Sequence, residues 1–118
     1  MAADPRRGEV WLAMLDKRRP VIVLTRDPMG RYLNSIIVAP VTSTIRGVST
    51  EVPIGPEDGV RRPSVVSLDN VQLLDKGRLV QAVGKARRVT MASICRSLAI
   101  ATGCEGIGLA STTEQGPS

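Results

Sequence analysis

The sequence predicts a small, mostly antiparallel β-barrel followed by one C-terminal helix. Its 118 residues, 42% of them apolar and 23% charged, are enough for one compact globular domain. Short β-branched segments alternate with tight turns up to residue 85, which is typical of an antiparallel all-β domain. An apolar period of three to four residues begins only after Thr90, where it indicates a helix. Because the chain has no Phe, one Trp and one Tyr, its core must be aliphatic.

The first two strands are predicted from two apolar segments that a short polar turn separates. Residues 9–15 form the first strand and residues 16–18 form the turn. The nearly continuous β-branched segment 20–25 indicates a second strand that is buried on both faces. Residues 27–30, which include a Pro and a Gly, are then predicted to form a turn.

Three further strands are predicted in the middle of the chain. Residues 34–42 form the third strand, in which Pro40 cannot donate a backbone hydrogen bond and so indicates a sheet edge or a bulge. Residues 50–54 form a short peripheral strand, and residues 55–63 form a loop rich in Gly, Pro and charged residues. Residues 64–68 form the next strand.

The last part of the chain predicts two strands and the helix. The strands cover residues 71–74 and 78–85, with an interruption at 69–70 before them and a turn at 75–77 between them. In the helix, Thr90 is the expected N-cap and Gly103 the expected C-cap. The helical spacing predicts one apolar face, so that Cys95 is expected to be a core residue. That face consists of Met91, Ile94, Cys95, Leu98 and Ala101.

Charge and composition restrict the possible functions. The net charge of +5 and the isoelectric point near 10.0 favour an anionic partner such as nucleic acid. The absence of histidine excludes Ser-His-Asp and Cys-His nucleophiles, His-based zinc sites and nucleases with an imidazole acid–base pair. Two cysteines are too few for a four-thiolate zinc site or a disulfide-rich scaffold, which fits a reducing cytoplasm. The acidic residues lie mostly in predicted turns, and no metal site is expected.

Neither a membrane span nor an export signal is expected from the sequence. The apolar segment 10–15 ends at Asp16, far short of the length that a bilayer span needs. The glycines are isolated, so a phosphate-cradling nucleotide loop is not predicted. We expect one domain over residues 6–104, with flexible ends at 1–5 and 105–118.

The side chains that remain for chemistry are those of Arg, Lys, Ser, Thr and Asp, which suit cleavage of RNA by its own 2′-hydroxyl. The RNA supplies the nucleophile, and a guanidinium can donate two hydrogen bonds to a phosphorus centre that gains negative charge. Arg19 opens the buried strand and Thr42 ends the third strand, so both can contribute to one site if these strand ends converge. On composition alone, a solvated arginine and a threonine that satisfies backbone groups are the more frequent alternatives.

Other polar residues are candidates for contacts with RNA. Basic loop residues can form a phosphate-binding surface, although each one is more often only solvated. Asp69 and Asn70 either form a turn or bulge or read unstacked base edges. The basic loop positions are Arg18, Arg26, Arg31, Arg46, Arg61, Arg62, Lys76, Arg87 and Arg88.

Four segments of the chain carry a family resemblance: RGEVW at 7–11, RPVIVL at 19–24, VAPVTS at 38–43 and SVV at 64–66. In this order they resemble the MazF/PemK family of toxin endoribonucleases. The resemblance implies an SH3-like antiparallel barrel of the MazF/PemK/CcdB type with a C-terminal helix, and one MazF-like toxin domain over residues 6–104. It also implies a homodimer whose interface groove holds single-stranded RNA or exposed RNA loops.

The resemblance assigns Arg19 and Thr42 as the catalytic pair of a sequence-specific endoribonuclease toxin that inhibits translation and growth. The implied reaction needs neither a metal nor a cofactor and leaves 2′,3′-cyclic phosphate and 5′-hydroxyl ends. The implied inhibitor is a MazE-like antitoxin with an acidic tail, and the implied location is the cytoplasm. Combined with the basic positions, the resemblance gives as candidate RNA-binding residues Lys17, Arg18, Arg26, Ser43, Arg46, Asp69, Asn70 and Gln72.

Two alternative functions remain open on the same barrel. A protein-binding toxin of the gyrase-poison type, such as CcdB, cuts no RNA, and a non-catalytic module would bind RNA without cleaving it. The polar C-terminal tail and the presence of both Arg19 and Thr42 favour the endoribonuclease. The turn at 16–18 is shorter than the Gly-rich loop that many relatives place before the Arg-Pro motif, so the cleavage specificity is expected to differ.

Overall fold

Seven strands join in one antiparallel sheet in the computed structural model, which describes residues 3–104. The strands are β1 (Glu9–Met14), β2 (Arg18–Val23), β3 (Ser35–Thr42), β4 (Glu51–Ile54), β5 (Ser64–Ser67), β6 (Gln72–Asp75) and β7 (Leu79–Lys85). The helices are α1 (Met29–Tyr32) and α2 (Arg88–Thr102), and 3-10 turns cover Pro56–Asp58, Leu68–Asn70 and Lys76–Arg78. Helix α1, a single turn, overlaps the turn predicted at 27–30. The mostly β fold with one long C-terminal helix is confirmed.

Strand β3 has partners on both sides and organises the sheet. The strand order is β4-β5-β3-β2-β1-β7, and β6 also pairs with β3. On one side, β3 pairs with β6 up to Val38 and with β5 from Val41 onward. Pro40 lies between these two ladders, where its missing N–H interrupts neither of them, and it is therefore tolerated inside the sheet. Over the described residues β4 and β7 do not pair with each other, so the hydrogen-bonded sheet is not closed.

Strand β2 is buried on both faces, as its sequence predicts. Ile22 packs in one apolar cluster with Val10 and Ile94, and Val21 packs in a second cluster with Val38. All five side chains are fully buried. The aliphatic core expected from the composition therefore lies on both sides of the central strands, and its burial is the main source of stability for a domain of this size.

Helix α2 begins earlier than predicted and ends where predicted. Arg87, not Thr90, is its N-cap, and Thr90 is buried in the first turn. The hydroxyl of Thr90 donates a hydrogen bond to Asp58 over 2.9 Å, so a tertiary contact uses the group that was expected to cap the helix. At the other end, Gly103 has a φ of 73°, the left-handed conformation that suits a glycine after a helix.

Cys95 does not lie in the core, and the expectation of a buried thiol is wrong. The side chains of α2 that pack against the core include Ile94 and Leu98. Cys95 is about 100° further around the helix than Ile94, which places it at the edge of that face. It is exposed, and Nη2 of Arg7 lies 3.1 Å from its sulfur.

The loop between β4 and β5 crosses β7 at close distance and is tied to α2. Gly59 has a φ of 82°, and a Cβ atom on Gly84 would lie 2.6 Å from the carbonyl oxygen of Asp58, so only glycines permit this crossing. Asp58 is 1% exposed and accepts hydrogen bonds from the backbone N–H of Arg87, over 2.8 Å, and from the hydroxyl of Thr90. These contacts fix the loop against the start of α2.

Close packing of the domain includes Pro5, which the sequence analysis places in the first flexible segment. Pro5 is fully buried and packs directly against Gly30, so close packing begins before residue 6. Residues 1–2 and 105–118, which belong to the ends predicted to be flexible, lie outside the described residues. No helix of residues 3–104 is both long enough and apolar enough to cross a membrane.

Candidate active site

Strands β2 and β3 place Arg19 and Thr42 at neighbouring positions of the sheet. Val21 lies opposite Pro40 at the last pair of their antiparallel ladder. Continuing the same register by two residues sets Arg19 opposite Thr42, and opposed residues project to the same side of a sheet. Strand β2 begins at Arg18, two residues before the predicted start, so Arg19 belongs to the sheet and not to the preceding turn.

Arg19 and Thr42 both line a cavity of about 590 Å³. This volume lies within the range of small-molecule binding sites. Four of its lining residues are arginines, and none of the described residues that line it is an Asp or a Glu. The cavity therefore combines an apolar wall with a concentration of positive charge. Its lining residues are Val10, Leu12, Arg18, Arg19, Pro20, Val41, Thr42, Ser43, Thr44, Gly59, Val60, Arg61, Arg62, Ser64 and Val83.

The guanidinium of Arg19 is held by the carboxylate of Asp16. Nε donates to Oδ1 over 2.8 Å and Nη2 donates to Oδ2 over 3.0 Å, a bidentate arrangement. The hydrogen bond from Arg19 holds the pKa of Asp16 well below its usual range, and the same bond raises the pKa of Arg19. The Arg19 side chain is 45% exposed and that of Asp16 is 67% exposed, so solvent and ligands can reach the pair. Two phosphate oxygens could replace the two carboxylate oxygens.

The hydroxyl of Thr42 accepts one hydrogen bond from the turn that follows β3. Its Oγ1 accepts a hydrogen bond from the backbone N–H of Thr44 over 3.1 Å. A threonine hydroxyl carries one hydrogen and two lone pairs, so Thr42 can still donate to a ligand oxygen in the cavity. The turn thereby fixes the direction of the Thr42 side chain.

The Glu51 carboxylate holds the backbone of the loop that follows Thr42. Its side chain is 4% exposed, and Oε1 accepts hydrogen bonds from the backbone N–H groups of Arg46, over 3.0 Å, and Gly47, over 2.9 Å. Burial would raise the pKa of Glu51, but the backbone hydrogen bonds outweigh it and the pKa is lowered. Nε of Arg46 also lies 3.6 Å from Oε2. The loop is therefore held by a charged carboxylate, and Arg46 is engaged in that contact.

Two of the candidate RNA-binding residues line the cavity, and the three basic candidates Lys17, Arg26 and Arg46 do not. Arg18 and Ser43 lie beside Arg19 and Thr42 respectively and share their cavity. Lys17 and Arg26 are exposed and do not line the cavity. Arg46, which contacts Glu51, does not line it either.

The three candidates for base contacts also lie outside the cavity. Asp69 Oδ2 accepts a hydrogen bond from the hydroxyl of Thr50 over 2.6 Å, and Asn70 Nδ2 donates to the hydroxyl of Ser67 over 2.8 Å. Gln72 is exposed at the start of β6. Asp69 and Asn70 are thus used in local contacts, as expected if they form a turn, while all three side chains remain at the surface.

Arg61 and Arg62 line the cavity, although the sequence did not single them out for the site. The sequence showed them only as two of several basic loop positions. The available signal was their position, directly after Gly59 and Val60 in a Gly- and Pro-rich loop. Their approach to the cavity depends on the crossing of Gly59 over β7, which the sequence pattern does not reveal.

The site has donors for an anion and no group of metal ligands. Within residues 3–104, no three Cys, Asp or Glu side chains lie together as a metal-binding group. The polar groups that line the cavity are guanidiniums and hydroxyls. Such groups bind phosphate oxygens and stabilise negative charge that develops on them.

The chain belongs to the PemK-like, MazF-like toxin family of type II toxin–antitoxin systems. The family model matches residues 6–102, which is almost all of the described chain. The resemblance drawn from the four sequence segments is therefore confirmed. The chain is also similar to individual members of this family.

Among curated relatives, Endoribonuclease MazF3 of Mycobacterium tuberculosis is 46% identical over 74 residues, which cover 60% of this chain and 72% of the relative. Among solved structures, Mycobacterium tuberculosis toxin MazF-mt6 is 35% identical with a TM-score of 0.79, covering 82% of this chain and 98% of that one. An endoribonuclease in complex with its cognate antitoxin, from a mycobacterial species, is 28% identical with a TM-score of 0.76. That match covers 84% of this chain and 95% of the solved chain.

Proposed function

We infer that this protein is an endoribonuclease toxin of a type II toxin–antitoxin system, and we propose that it cleaves single-stranded RNA at the cavity that contains Arg19 and Thr42. Family membership and the 46% identity with an endoribonuclease support the activity. The observation that carries the proposed site is the position of Arg19 and Thr42 on one cavity of about 590 Å³.

In the proposed reaction, the 2′-oxygen of the RNA attacks the adjacent phosphorus. A bond forms between the 2′-oxygen and phosphorus, and the bond between phosphorus and the 5′-oxygen breaks. The 2′-hydroxyl loses its proton and the leaving 5′-oxygen gains one, which gives a 2′,3′-cyclic phosphate and a 5′-hydroxyl. A guanidinium is charged at any ordinary pH, so Arg19 acts by donating hydrogen bonds to the phosphate oxygens. The hydroxyl of Thr42 is the second donor.

The proposed reaction uses no metal ion and no cofactor. Its nucleophile comes from the substrate, and its charge is stabilised by side chains of the cavity. The chain has no histidine to supply an imidazole acid–base pair, so other side chains, solvent or the RNA itself accept and donate the protons. We assign the protein to the cytoplasm, where its RNA substrate is found, and propose that sequence-specific cleavage there inhibits translation and growth.

We propose a MazE-like antitoxin and a second copy of this chain as protein partners. The antitoxin is supported by the similar mycobacterial endoribonuclease that was solved with its cognate antitoxin. A homodimer would carry a charge of +10, twice the +5 of one chain, and so attract both RNA and an acidic antitoxin segment. RNA and antitoxin are then expected to compete for the same arginines.

The test is cleavage of a long RNA of known sequence by the purified protein in the presence of EDTA, with cut sites and end groups mapped. We expect discrete cuts with cyclic phosphate ends. Arg19→Ala is expected to lower the cleavage rate roughly 10²–10³-fold, which is the usual effect of removing one charge-stabilising donor. Thr42→Ala is expected to lower it as well. Arg96→Ala removes an exposed charge on α2, outside the cavity, and serves as the matched control.

Several outcomes would overturn the proposal. Cleavage that needs a divalent cation would contradict the metal-independent reaction. Equal cleavage by wild type and Arg19→Ala would place the chemistry elsewhere. Tight RNA binding with no cleavage at all would indicate an RNA-binding module, and neither binding nor cleavage would indicate a protein-binding toxin.

A further inference from the structure

Arg61 and Arg62 are consecutive arginines of the cavity to which the proposed reaction gives no role. They lie on the loop between β4 and β5, and they line the same cavity as Arg19 and Thr42. At about 590 Å³ the cavity is in the size range of drug-sized ligands, far larger than one phosphate group. There is room in it for more of the RNA chain than the phosphate that is cleaved.

The loop holds both arginines on a fixed backbone. On one side, the backbone N–H of Val60 donates to the carbonyl oxygen of Gly55 over 3.1 Å. On the other side, the hydroxyl of Ser64 donates to the carbonyl oxygen of Arg62 over 3.0 Å. Directly before the arginines, the Asp58 carboxylate and the glycine crossing tie the loop to α2 and β7. Such pre-organisation lowers the entropy lost when a ligand binds.

The charges of the two arginines are not compensated within the cavity. Over the described residues, neither Arg61 nor Arg62 takes part in an ion pair, whereas Arg19 is paired with Asp16. Arg61 and Arg62 are consecutive residues of one loop and both are exposed. An anion with several oxygens can neutralise their charges and matches the planar donors of arginine.

We propose that Arg61 and Arg62 form a second phosphate-binding subsite, which holds a phosphate of the RNA chain next to the one that is cleaved. This subsite rests on the proposed function, because it takes a neighbouring segment of the same substrate. Its contact is made before and during the reaction alike, so it strengthens substrate binding without accelerating the chemical step.

The test compares the double variant Arg61→Ala/Arg62→Ala with wild type on two substrates. The first is an RNA oligonucleotide of roughly 12 nucleotides around a mapped cleavage site, and the second is the dinucleoside monophosphate of the same site. For the oligonucleotide we expect KM to rise roughly tenfold or more, as for loss of charged hydrogen bonds, with kcat within twofold of wild type. For the dinucleotide, which has only the scissile phosphate, we expect no change.

Three controls separate the subsite from other effects. Lys85→Ala/Arg96→Ala removes two exposed charges outside the cavity, as many as the test variant, and is expected to leave both KM values unchanged. Arg61→Lys/Arg62→Lys keeps the charge and is expected to restore most of the affinity for the longer RNA. Thermal unfolding followed by circular dichroism checks that the alanine variant folds.

Binding to an uncleavable RNA separates failure of the subsite from failure of the proposed function. The probe is a fluorescein-labelled RNA of roughly 12 nucleotides with 2′-O-methyl groups throughout, which blocks 2′-hydroxyl attack. We expect the alanine variant to bind it more weakly and with a salt dependence shallower by about 0.7 per lost phosphate contact. If the protein never cleaves RNA but the alanine variant still binds this probe more weakly than wild type, the subsite proposal stands and the proposed nuclease activity is refuted. An unchanged salt dependence, a loss in kcat alone, or an equal loss on the dinucleotide would refute the subsite.

Discussion

Replacement of Asp58 by Ala is expected to destabilise the domain strongly although Asp58 lies in a loop. Its carboxylate is 1% exposed and joins the loop between β4 and β5 to the start of α2. Oδ1 accepts three hydrogen bonds: from the backbone N–H of Arg87 over 2.8 Å, from the hydroxyl of Thr90 over 2.9 Å, and from Nε of Arg87 over 3.2 Å. The alanine variant loses all three at once.

The expected loss of stability depends on which hydrogen-bonding groups Asp58→Ala leaves without a partner. Thr90 is itself buried, so its hydroxyl loses its acceptor in a place that water does not reach freely. A buried group left unsatisfied costs about 1–3 kcal/mol, and removal of one partner from a buried charged contact costs about 3–5 kcal/mol. The Arg87 side chain is 48% exposed, so solvent weakens the electrostatic attraction between its guanidinium and the Asp58 carboxylate. We therefore expect a loss of about 2–4 kcal/mol from Asp58→Ala.

Urea unfolding followed by circular dichroism measures this loss, and a thermal melt should show a decrease in Tm of roughly 10–25 °C. The same variant should also weaken RNA binding, because the Asp58 contacts hold the loop that carries Arg61 and Arg62. A loss below about 1 kcal/mol would show that the loop is held without the carboxylate and would refute this reasoning. Asp58→Asn, which keeps the shape, should lose less than Asp58→Ala.

The stabilisation by Asp58 should depend on pH. Burial would raise the pKa of Asp58, but hydrogen bonds from Arg87 and Thr90 outweigh it, so the folded-state pKa lies below the ordinary value of 3.8. A lowered pKa means that the stabilisation is fully present above the ordinary value and is lost as the pH falls through the folded-state value. The difference in unfolding free energy between wild type and Asp58→Asn should therefore be larger at pH 7 than in acid, below that folded-state pKa.

Two further substitutions test the cavity and the loop crossing. Asp16→Asn should lower KM for RNA, because phosphate oxygens no longer displace a carboxylate from Arg19; a higher KM would mean that Asp16 orients the guanidinium for the reaction. Gly84→Ala should lower Tm by roughly 5–15 °C in a thermal melt, because the new methyl group would lie 2.6 Å from the carbonyl oxygen of Asp58. Gly55→Ala, where the nearest atom is 3.9 Å away, is the control and should change Tm little.

Local patterns predicted most of the fold because they are set by neighbouring residues. The β-branched segment of β2 predicted burial on both faces, and Gly103 predicted the end of α2. The start of α2 was missed because the hydroxyl of Thr90 is used by Asp58, which is 32 residues away in sequence. Cys95 was misplaced for a related reason: an apolar spacing predicts a face, but the packing of β4 against α2 decides which part of that face is buried.

For the candidate site, the sequence predicted the two strand ends and missed the loop that completes the cavity. The strand ends marked Arg19 and Thr42 as residues that could converge, and the family resemblance assigned them as the catalytic pair. The register of β2 and β3, continued by two residues, sets them opposite each other. Arg61 and Arg62 could be given only as two of nine basic loop positions, since their approach to the cavity depends on contact between Gly59 and Gly84, two glycines that are distant in sequence. A pattern within one segment carries no information about such a crossing.

Arg19, Arg61 and Arg62 differ in how available they are to a ligand, and this difference suggests an order of binding under the proposed function. Arg61 and Arg62 have no ion-pair partner among the described residues, so a phosphate can bind there without displacing a carboxylate. Arg19 must first exchange Asp16 for the scissile phosphate. Exposed ion pairs contribute little to stability, so this exchange is easy once the RNA is already held nearby. Binding of the neighbouring phosphate at Arg61 and Arg62 therefore lowers KM for a long RNA, while the exchange at Arg19 itself is the same for a long and a short substrate.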